Sequence, residues 1–316
     1  MMKKKNLQLL LKVFISASFL FLVFRKIDFR MLYETLKGCY LPLALTALLI
    51  AVLLSFLLSL RWMLLLKSQS KSERIRFSSI WKLTMVGMLF NNFLPTGSGG
   101  DIAKVFYLVK GEENKLMLGS SVLIDRFIGA LTVITMGVIA ALFTPAVAIR
   151  TKYVLLVLLA GLLLILLFFS NRRIAAPLYS VVRKLFPGRI KGPMKNTYGV
   201  FNRYFSAGKW FFAALAVSFI LQSISIFTNY LMGLSLLWGQ AEIPNISLFF
   251  IYIPLIWTST MIPSLGGLGV REFTYVYFFS ASMGKENAFA LSVLFLISVV
   301  IQSIIGAVII LFMRER

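Results

Sequence analysis

The sequence predicts an all-α polytopic membrane protein, with about six full spans and two opposed re-entrant hairpins in an inverted-repeat architecture. Three observations lead there. The 316-residue chain is 59% hydrophobic, with a mean hydropathy of +0.88, against about 45–50% apolar residues in soluble domains. Several apolar runs approach or exceed the roughly 20 residues a helix needs to cross a bilayer; a membrane β-barrel would show short alternating segments instead. Two glycine-rich breaks interrupt these runs at matching places in two halves: Pro95-Thr96-Gly97-Ser98-Gly99-Gly100-Asp101 and Pro263-Ser264-Leu265-Gly266-Gly267-Leu268-Gly269-Val270-Arg271-Glu272. Backbone breaks at membrane depth only where protein or a wet cavity shelters it. Paired breaks in two halves point to a transport-type site near the midplane.

The first span is expected at about 7–24. Met1 to Lys5 and the apolar stretch behind them resemble a signal peptide. No convincing small-x-small cleavage site follows, and Arg25-Lys26 comes directly after, so the segment reads as an uncleaved span. Further spans are expected at about 41–66, 119–143, 153–169, 210–238 and 288–312. The first break lies between the second and third of these, the second break between the fifth and sixth.

Lys and Arg in short loops set orientation. Segment 170–209 carries Arg172, Arg173, Arg183, Lys184, Arg189, Lys191, Lys195, Arg203 and Lys209 without an acid, and is expected in the cytoplasm. Six spans then put both termini there, in agreement with Lys3-Lys4-Lys5 and with Arg314 and Arg316. The cluster Lys67, Lys71, Arg74 and Arg76 also falls inside. Arg25, Lys26, Arg30 and Lys37 fall outside, against the rule, with Asp28 and Glu34 as partial offset. The first break then enters from the cytoplasm and the second from outside. The chain reads as one transmembrane domain over 1–316, with a first repeat at about 41–143, a basic cytoplasmic segment at about 170–209 and a second repeat at about 210–312. The basic segment is either a solvated loop or an amphipathic stretch on anionic lipid; the loop is the simpler reading.

Composition closes several function classes. The chain has no His and one Cys, Cys39. An intrachain disulfide, a His-containing or multi-Cys zinc site and a Ser-His-Asp or Cys-His mechanism are therefore excluded. No cofactor is expected, and no phosphate-binding P-loop pattern occurs. A net charge of +22 fits juxtamembrane contact with anionic lipid; with no separate basic domain, nucleic acid is not an expected partner. The membrane is expected to be the cell membrane.

Each break is expected to start a half-helix, one near Asp101 and one near Val270. Helix N-termini expose unpaired N–H groups and a partial positive charge, and glycine lets a ligand approach the backbone. Gly99 and Gly100, then Gly266, Gly267 and Gly269, form candidate cradles for a phosphate, with Lys104 and Arg271 beside them. The plain alternative is that the glycines only permit tight turns and that Asp101 is an N-cap. Asp125 and Arg126 lie about two turns into the third span, where charge is costly and faces a cavity or a partner. Asp101, Lys104, Asp125, Arg126, Arg271 and Glu272 are candidates for one buried polar cluster; Asp125–Lys104 and Arg126–acid staples are the structural alternative. Asn91 and Asn92 offer neutral hydrogen bonds to a head group, or helix caps. Gln222, Ser225 and Asn229 share one helical face, either lining a cavity or bonding helix to helix. Trp62, Trp81, Trp210, Trp238 and Trp257 read as interfacial anchors.

Asn91-Asn92-Phe93-Leu94-Pro95, Gly100-Asp101 and Lys104, then Asp125-Arg126, then Pro263 to Glu272, resemble in order the three motifs of the lysylphosphatidylglycerol synthase transmembrane-region family. This membrane domain is also the flippase part of multiple peptide resistance factors, and the resemblance covers nearly the whole chain. It implies a polytopic fold with two re-entrant hairpins and, in some members, movement of aminoacylated phosphatidylglycerol between leaflets. Other members act beside lipid-linked glycan pathways. The chain departs from the pattern at Thr96 and Gly97, where a basic residue is common, at Lys104, commonly Arg, and at Leu265, frequently Pro. The synthase activity of the family name belongs to a separate soluble domain that transfers an aminoacyl group from tRNA. With the sequence ending at Arg316 soon after the last span, the chain is expected not to be an enzyme.

Three functions compete. The first is a lipid flippase or flippase-like transporter for a phospholipid or a lipid-linked sugar, with membrane lipids, above all anionic phospholipid, as partners. The second is a non-transporting membrane partner of a separately encoded lipid synthase or glycosyltransferase. The third is a membrane-embedded enzyme working through acids such as Asp125 and Glu272.

Overall fold

Twelve α-helices and no strand make up the described residues. The computed structural model describes residues 2–25, 27–69, 76–93, 99–108, 115–170, 191–240, 243–264 and 266–313, without the side chains of 2–12, 69, 93, 115, 191–197 and 313. In chain order the helices are α1 (Met2–Phe24), α2 (Phe29–Lys37), α3 (Leu41–Gln69), α4 (Phe77–Phe93), α5 (Gly99–Leu108), α6 (Lys115–Leu142), α7 (Ile149–Ser170), α8 (Lys191–Phe205), α9 (Lys209–Leu236), α10 (Ile246–Ser259), α11 (Val270–Met283) and α12 (Lys285–Met313). Residues 171–190 of the basic segment, Lys26, Lys71, Arg74, the Leu94–Ser98 part of the first break, Leu265 and the residues from Arg314 on lie outside the described residues.

Five helices, α3, α6, α7, α9 and α12, are long and apolar enough to cross a membrane. They match the second to sixth expected spans. The first expected span falls on α1, whose described part, Val13–Phe24, is a shorter apolar helix. The chain is a polytopic α-helical membrane protein. In these apolar helices Ser and Thr hydroxyls turn back onto carbonyls of the preceding turn, as Ser59 does onto Ser55 (2.7 Å) and Thr132 onto Ile128 (2.9 Å). This settles the donor without water.

The helix ends sort into two sets. On one, Asp28 caps α2 by accepting from Arg30 N–H at 2.8 Å, and its own N–H reaches Glu286 in the first turn of α12. The Tyr40 N–H donates to the Ser235 carbonyl at 2.8 Å, and its ring stacks on Trp238 at 4.1 Å. The starts of α3 and α12 and the end of α9 therefore meet. At the other set, Tyr204 of α8 donates to the Met117 carbonyl at 2.9 Å, and Asn202 donates to the Phe169 carbonyl at 2.8 Å. Burial pushes the Tyr204 phenol above its ordinary pKa, so this donor stays protonated. The start of α6 and the end of α7 meet there. This sorting groups the loops as the charge pattern does.

Two helix–break–helix units sit between these ends. In one, α4 and α5 pack antiparallel, with Gly87 of α4 against Gly100 and Lys104 of α5. In the other, α10 and α11 pack antiparallel, with Tyr252 stacked on Phe278 (5.1 Å) and Ser259 bonded to Thr274 (3.2 Å). The main apolar core lies around the second unit, where Phe249, Tyr275 and Phe279 meet Ile226 and Met232 of α9 and Leu291 of α12. α7 is the most peripheral span, with Leu155 its one fully buried residue.

Candidate functional site

The first unit is built on backbone contact. A Cβ on Gly100 would collide with the Gly87 carbonyl, so only glycine lets α5 start this close to α4. The Gly100 N–H donates to Asn91 Oδ1 at 2.9 Å. Asn91 thus caps α5 from the end of α4, satisfying a donor the first turn leaves open. α5 begins at Gly99, near Asp101 as expected, but Asp101 sits inside the first turn and is not the N-cap. Asn92 donates to the Ser303 hydroxyl of α12 at 2.7 Å.

Around this unit lies a group of five charges. Arg61 of α3 grips Asp125 of α6 in a fork, Nε to Oδ1 at 2.7 Å and Nη2 to Oδ2 at 3.0 Å, and both are buried. The third arm, Nη1, donates to Ser218 Oγ at 2.9 Å, which in turn meets Thr132 Oγ1 at 2.8 Å. Such planar two-point pairing is specific to guanidinium. Asp125 therefore pairs with Arg61, not with Lys104 as the stapling alternative has it. Arg126 does pair with an acid, Asp101, and its side chain is 43% exposed. Lys104 is buried, feels the fields of all four, and lies over the Trp62 ring at 5.1 Å. Trp62 is held by its own Nε1–H, which donates to Ser121 Oγ at 2.9 Å.

The second unit turns on Gly266, Gly267 and Gly269, whose φ values of 57°, 82° and 82° are open to glycine. α11 begins at Val270 as expected. Glu272 folds back onto its own helix start, accepting the Gly269 N–H at 2.6 Å, and takes Arg271 Nη2 at 2.7 Å. The carboxylate thus occupies the place an anion would take at this N-terminus. Gly269 lies against the Ser16 carbonyl near the middle of α1, and Phe19 meets Phe273 edge-on at 5.2 Å. Gly266 lies against the Asn92 carbonyl, so the two units meet.

The six charges expected in one cluster resolve into two groups, and no ion pair joins them among the described residues. Between them opens a cavity of about 230 Å3, walled by α3, α4, α9, α10 and α12. Gln222, Ser225 and Asn229 line it, as their shared face allows. They also bond between and within helices: Gln222 donates to the Gly129 carbonyl at 3.4 Å, and Asn229 accepts from the Tyr275 hydroxyl at 2.6 Å. Gly129 in turn leaves room for the Arg61 guanidinium. At the opposite wall Phe295 carries Arg271 over its ring at 5.3 Å. The cavity thus touches one charge group through Gln222 and the other through Phe295.

Four residues that matter here escape a reading of the sequence: Arg61, Trp62, Ser218 and Thr132. Arg61 looks like the cationic end of a span, and the signal for it was the unpartnered Asp125. Three tryptophans have partners inside the bundle. Trp62 is buried under Lys104, Trp81 stacks on Phe56 at 5.2 Å and donates to Ser55 at 3.0 Å, and Trp257 lines the cavity. Trp238 is exposed and stacks on Tyr40.

The model of one protein family, described as the lysylphosphatidylglycerol synthase TM region, matches residues 9–306. The chain belongs to the lysylphosphatidylglycerol synthase transmembrane-region family. The match takes in both helix–break–helix units, both charge groups and the cavity, so the site lies wholly within the family's domain. No curated protein and no solved structure matches the chain.

Proposed function

We propose that this protein moves a lipid between leaflets, passing the head group through the sheltered space between two opposed re-entrant hairpins while the acyl chains stay in the bilayer. Helix lengths support re-entry. At about 1.5 Å per residue, α4, α5, α10 and α11 reach roughly 26, 15, 21 and 21 Å, all short of a hydrocarbon core of about 30 Å. Both partners of each unit also return toward the set of ends from which the unit started.

The observation that carries the reading is a cavity of neutral polar and apolar side chains that reaches one charge group through Gln222 and Gly129 and the other through Phe295. Lys104 and Arg126 are the cations best placed for a lipid phosphate, since Arg61 and Arg271 are held by buried acids. The α5 start, with Gly99 and Gly100, lies on the same helix as Lys104, although Asn91 already takes one of its donors. The substrate class is a phospholipid, aminoacylated phosphatidylglycerol included, or a lipid-linked sugar. The protein acts without chemistry of its own, in the cell membrane, with both termini in the cytoplasm and anionic lipid against its basic segment.

The test is reconstitution into liposomes with tail-labelled lipids of several head groups. Protein-dependent loss of leaflet asymmetry is expected for at least one of them. Unchanged asymmetry across the whole panel would defeat the proposal.

One observation favours a second reading. Both buried ion pairs are closed on themselves, as they would be in a scaffold. A non-transporting partner of a lipid synthase or glycosyltransferase would then co-purify with that enzyme and scramble nothing by itself.

A further inference from the structure

We infer that the cavity between the two charge groups binds an uncharged, hydroxyl-bearing head group, a glycosyl or glycerol moiety, in preference to an aminoacyl ammonium. The inference deepens the lipid-transport reading and rests on it.

The lining holds no charged residue. Its polar members are neutral: Ser55, Gln222, Ser225, Asn229, Ser298 and Gln302 are the ones the chemistry turns on. Most have part of their capacity in use. Gln222 and Gln302 each spend an amide N–H on a backbone carbonyl, Gly129 at 3.4 Å and Ala51 at 2.8 Å, while Ser298 donates to the Phe295 carbonyl at 2.6 Å. Among the described residues, Gln222 Oε1, Gln302 Oε1 and the Ser225 hydroxyl carry no hydrogen bond. The spare capacity is therefore mainly acceptor, with one hydroxyl that both gives and takes.

Acceptors call for donors, and a ligand offers these as hydroxyls or as an ammonium. The two differ in charge. An ammonium taken into this space has no carboxylate to meet it, because Asp125 is gripped by Arg61 through both oxygens and Glu272 by Arg271 and the Gly269 N–H. Freeing either acid would leave a buried arginine unpaired, which costs more than the new contact returns. A hydroxyl needs no counter-charge, and its desolvation is offset by the bonds waiting for it. Trp257 and Phe295 add flat apolar walls that suit the C–H faces of a sugar ring. With about 30 Å3 per water, the cavity of about 230 Å3 holds one ring-sized group. A phosphate would stay outside, because no cation lines the cavity.

The experiment titrates the purified full-length protein in detergent with monoglucosyl diacylglycerol, lysylphosphatidylglycerol and phosphatidylethanolamine of matched acyl chains, and reads bound lipid by native mass spectrometry. The glucosyl lipid is expected to exceed the lysyl lipid in occupancy by about fivefold, the worth of one net hydrogen bond. Gln222→Leu and Ser225→Val are expected to remove that advantage and leave the other two lipids unchanged. Ser225→Val keeps the fold testable because its hydroxyl has no bond to lose; thermal unfolding checks both variants. Lysyl-lipid occupancy equal to or above the glucosyl lipid overturns the inference, and so does a preference that survives both folded variants. If no lipid scrambles in liposomes yet the preference holds, the transport reading fails and the site stands. If scrambling occurs without the preference, only the site assignment fails.

Discussion

Gly266 packs against the main-chain carbonyl of Asn92, which joins the second glycine break to the end of α4. The contact depends on glycine twice. Its φ of 57° lies in the left-handed region, and a Cβ there would stand 2.6 Å from the Asn92 oxygen. Gly266→Ala is expected to lose about 1–2 kcal/mol from conformation alone, and more from the overlap with backbone that cannot rotate away. Thermal unfolding in detergent should show a clear drop in midpoint. An unchanged midpoint would mean that the two breaks do not touch.

Arg61 and Asp125 make a second prediction by double substitution. Removing one member of a buried pair leaves the other charge unpaired, so Arg61→Leu and Asp125→Leu should each cost roughly 3–5 kcal/mol. The double variant removes both charges and should regain most of that loss. Transport then separates roles. If the pair only holds α3 to α6, the double variant still scrambles lipid. If scrambling stays lost while stability returns, the pair acts in transport.

Gly87 and Gly100 face each other across α4 and α5 but should not respond alike. A Cβ on Gly87 meets the Lys104 side chain, its Cε at 2.5 Å, and a flexible chain can shift. A Cβ on Gly100 meets the Gly87 carbonyl and the Asn91 side chain that caps α5. Gly100→Ala should therefore separate the helices and break the cap, with a loss of about 2 kcal/mol or more. Gly87→Ala should cost under about 1 kcal/mol and mainly reposition Lys104. Midpoints from the two variants, measured side by side, test the order.

Much of this architecture is written locally. The five long spans follow from uninterrupted apolar runs, and the breaks from glycine clusters that no bilayer helix tolerates unaided. The shared face of Gln222, Ser225 and Asn229 is likewise a matter of helical spacing. The pairing of charges is not local. Arg61 and Asp125 are 64 residues apart, and nothing near Arg61 distinguishes it from the cations that end spans. Lys104, the nearer candidate for Asp125 in sequence, feels its field but packs against Gly87 and the Trp62 ring. Glu272 was legible as a charge beside a half-helix, but its turn back onto Gly269 is a capping geometry that fills the anion site the same sequence advertises. Trp62 misleads for a related reason: an aromatic near a span end fits a membrane interface until Ser121 and Lys104 enclose it.

The sidedness of the two breaks is open to a chemical test, because Cys39 is the one cysteine in the chain and Cys39→Ser gives a clean background. Its thiol donates a weak hydrogen bond to Ser235 Oγ at 3.5 Å, which a serine hydroxyl can also donate, so serine should be tolerated there. Met261, exposed just after α10, and Ser98, in the first break, then serve as reporters through Met261→Cys and Ser98→Cys. The ends of α9 and α12 that flank the second unit gather with residues 28–40, the set the charge pattern puts outside. A membrane-impermeant maleimide should therefore reach Met261→Cys in intact cells and Ser98→Cys in inverted vesicles. Each reporter should be protected on the opposite face. Labelling of Ser98→Cys only from outside would reverse the first hairpin and with it the inverted arrangement. Labelling of both from the same face would leave two hairpins of one orientation and remove the inverted arrangement.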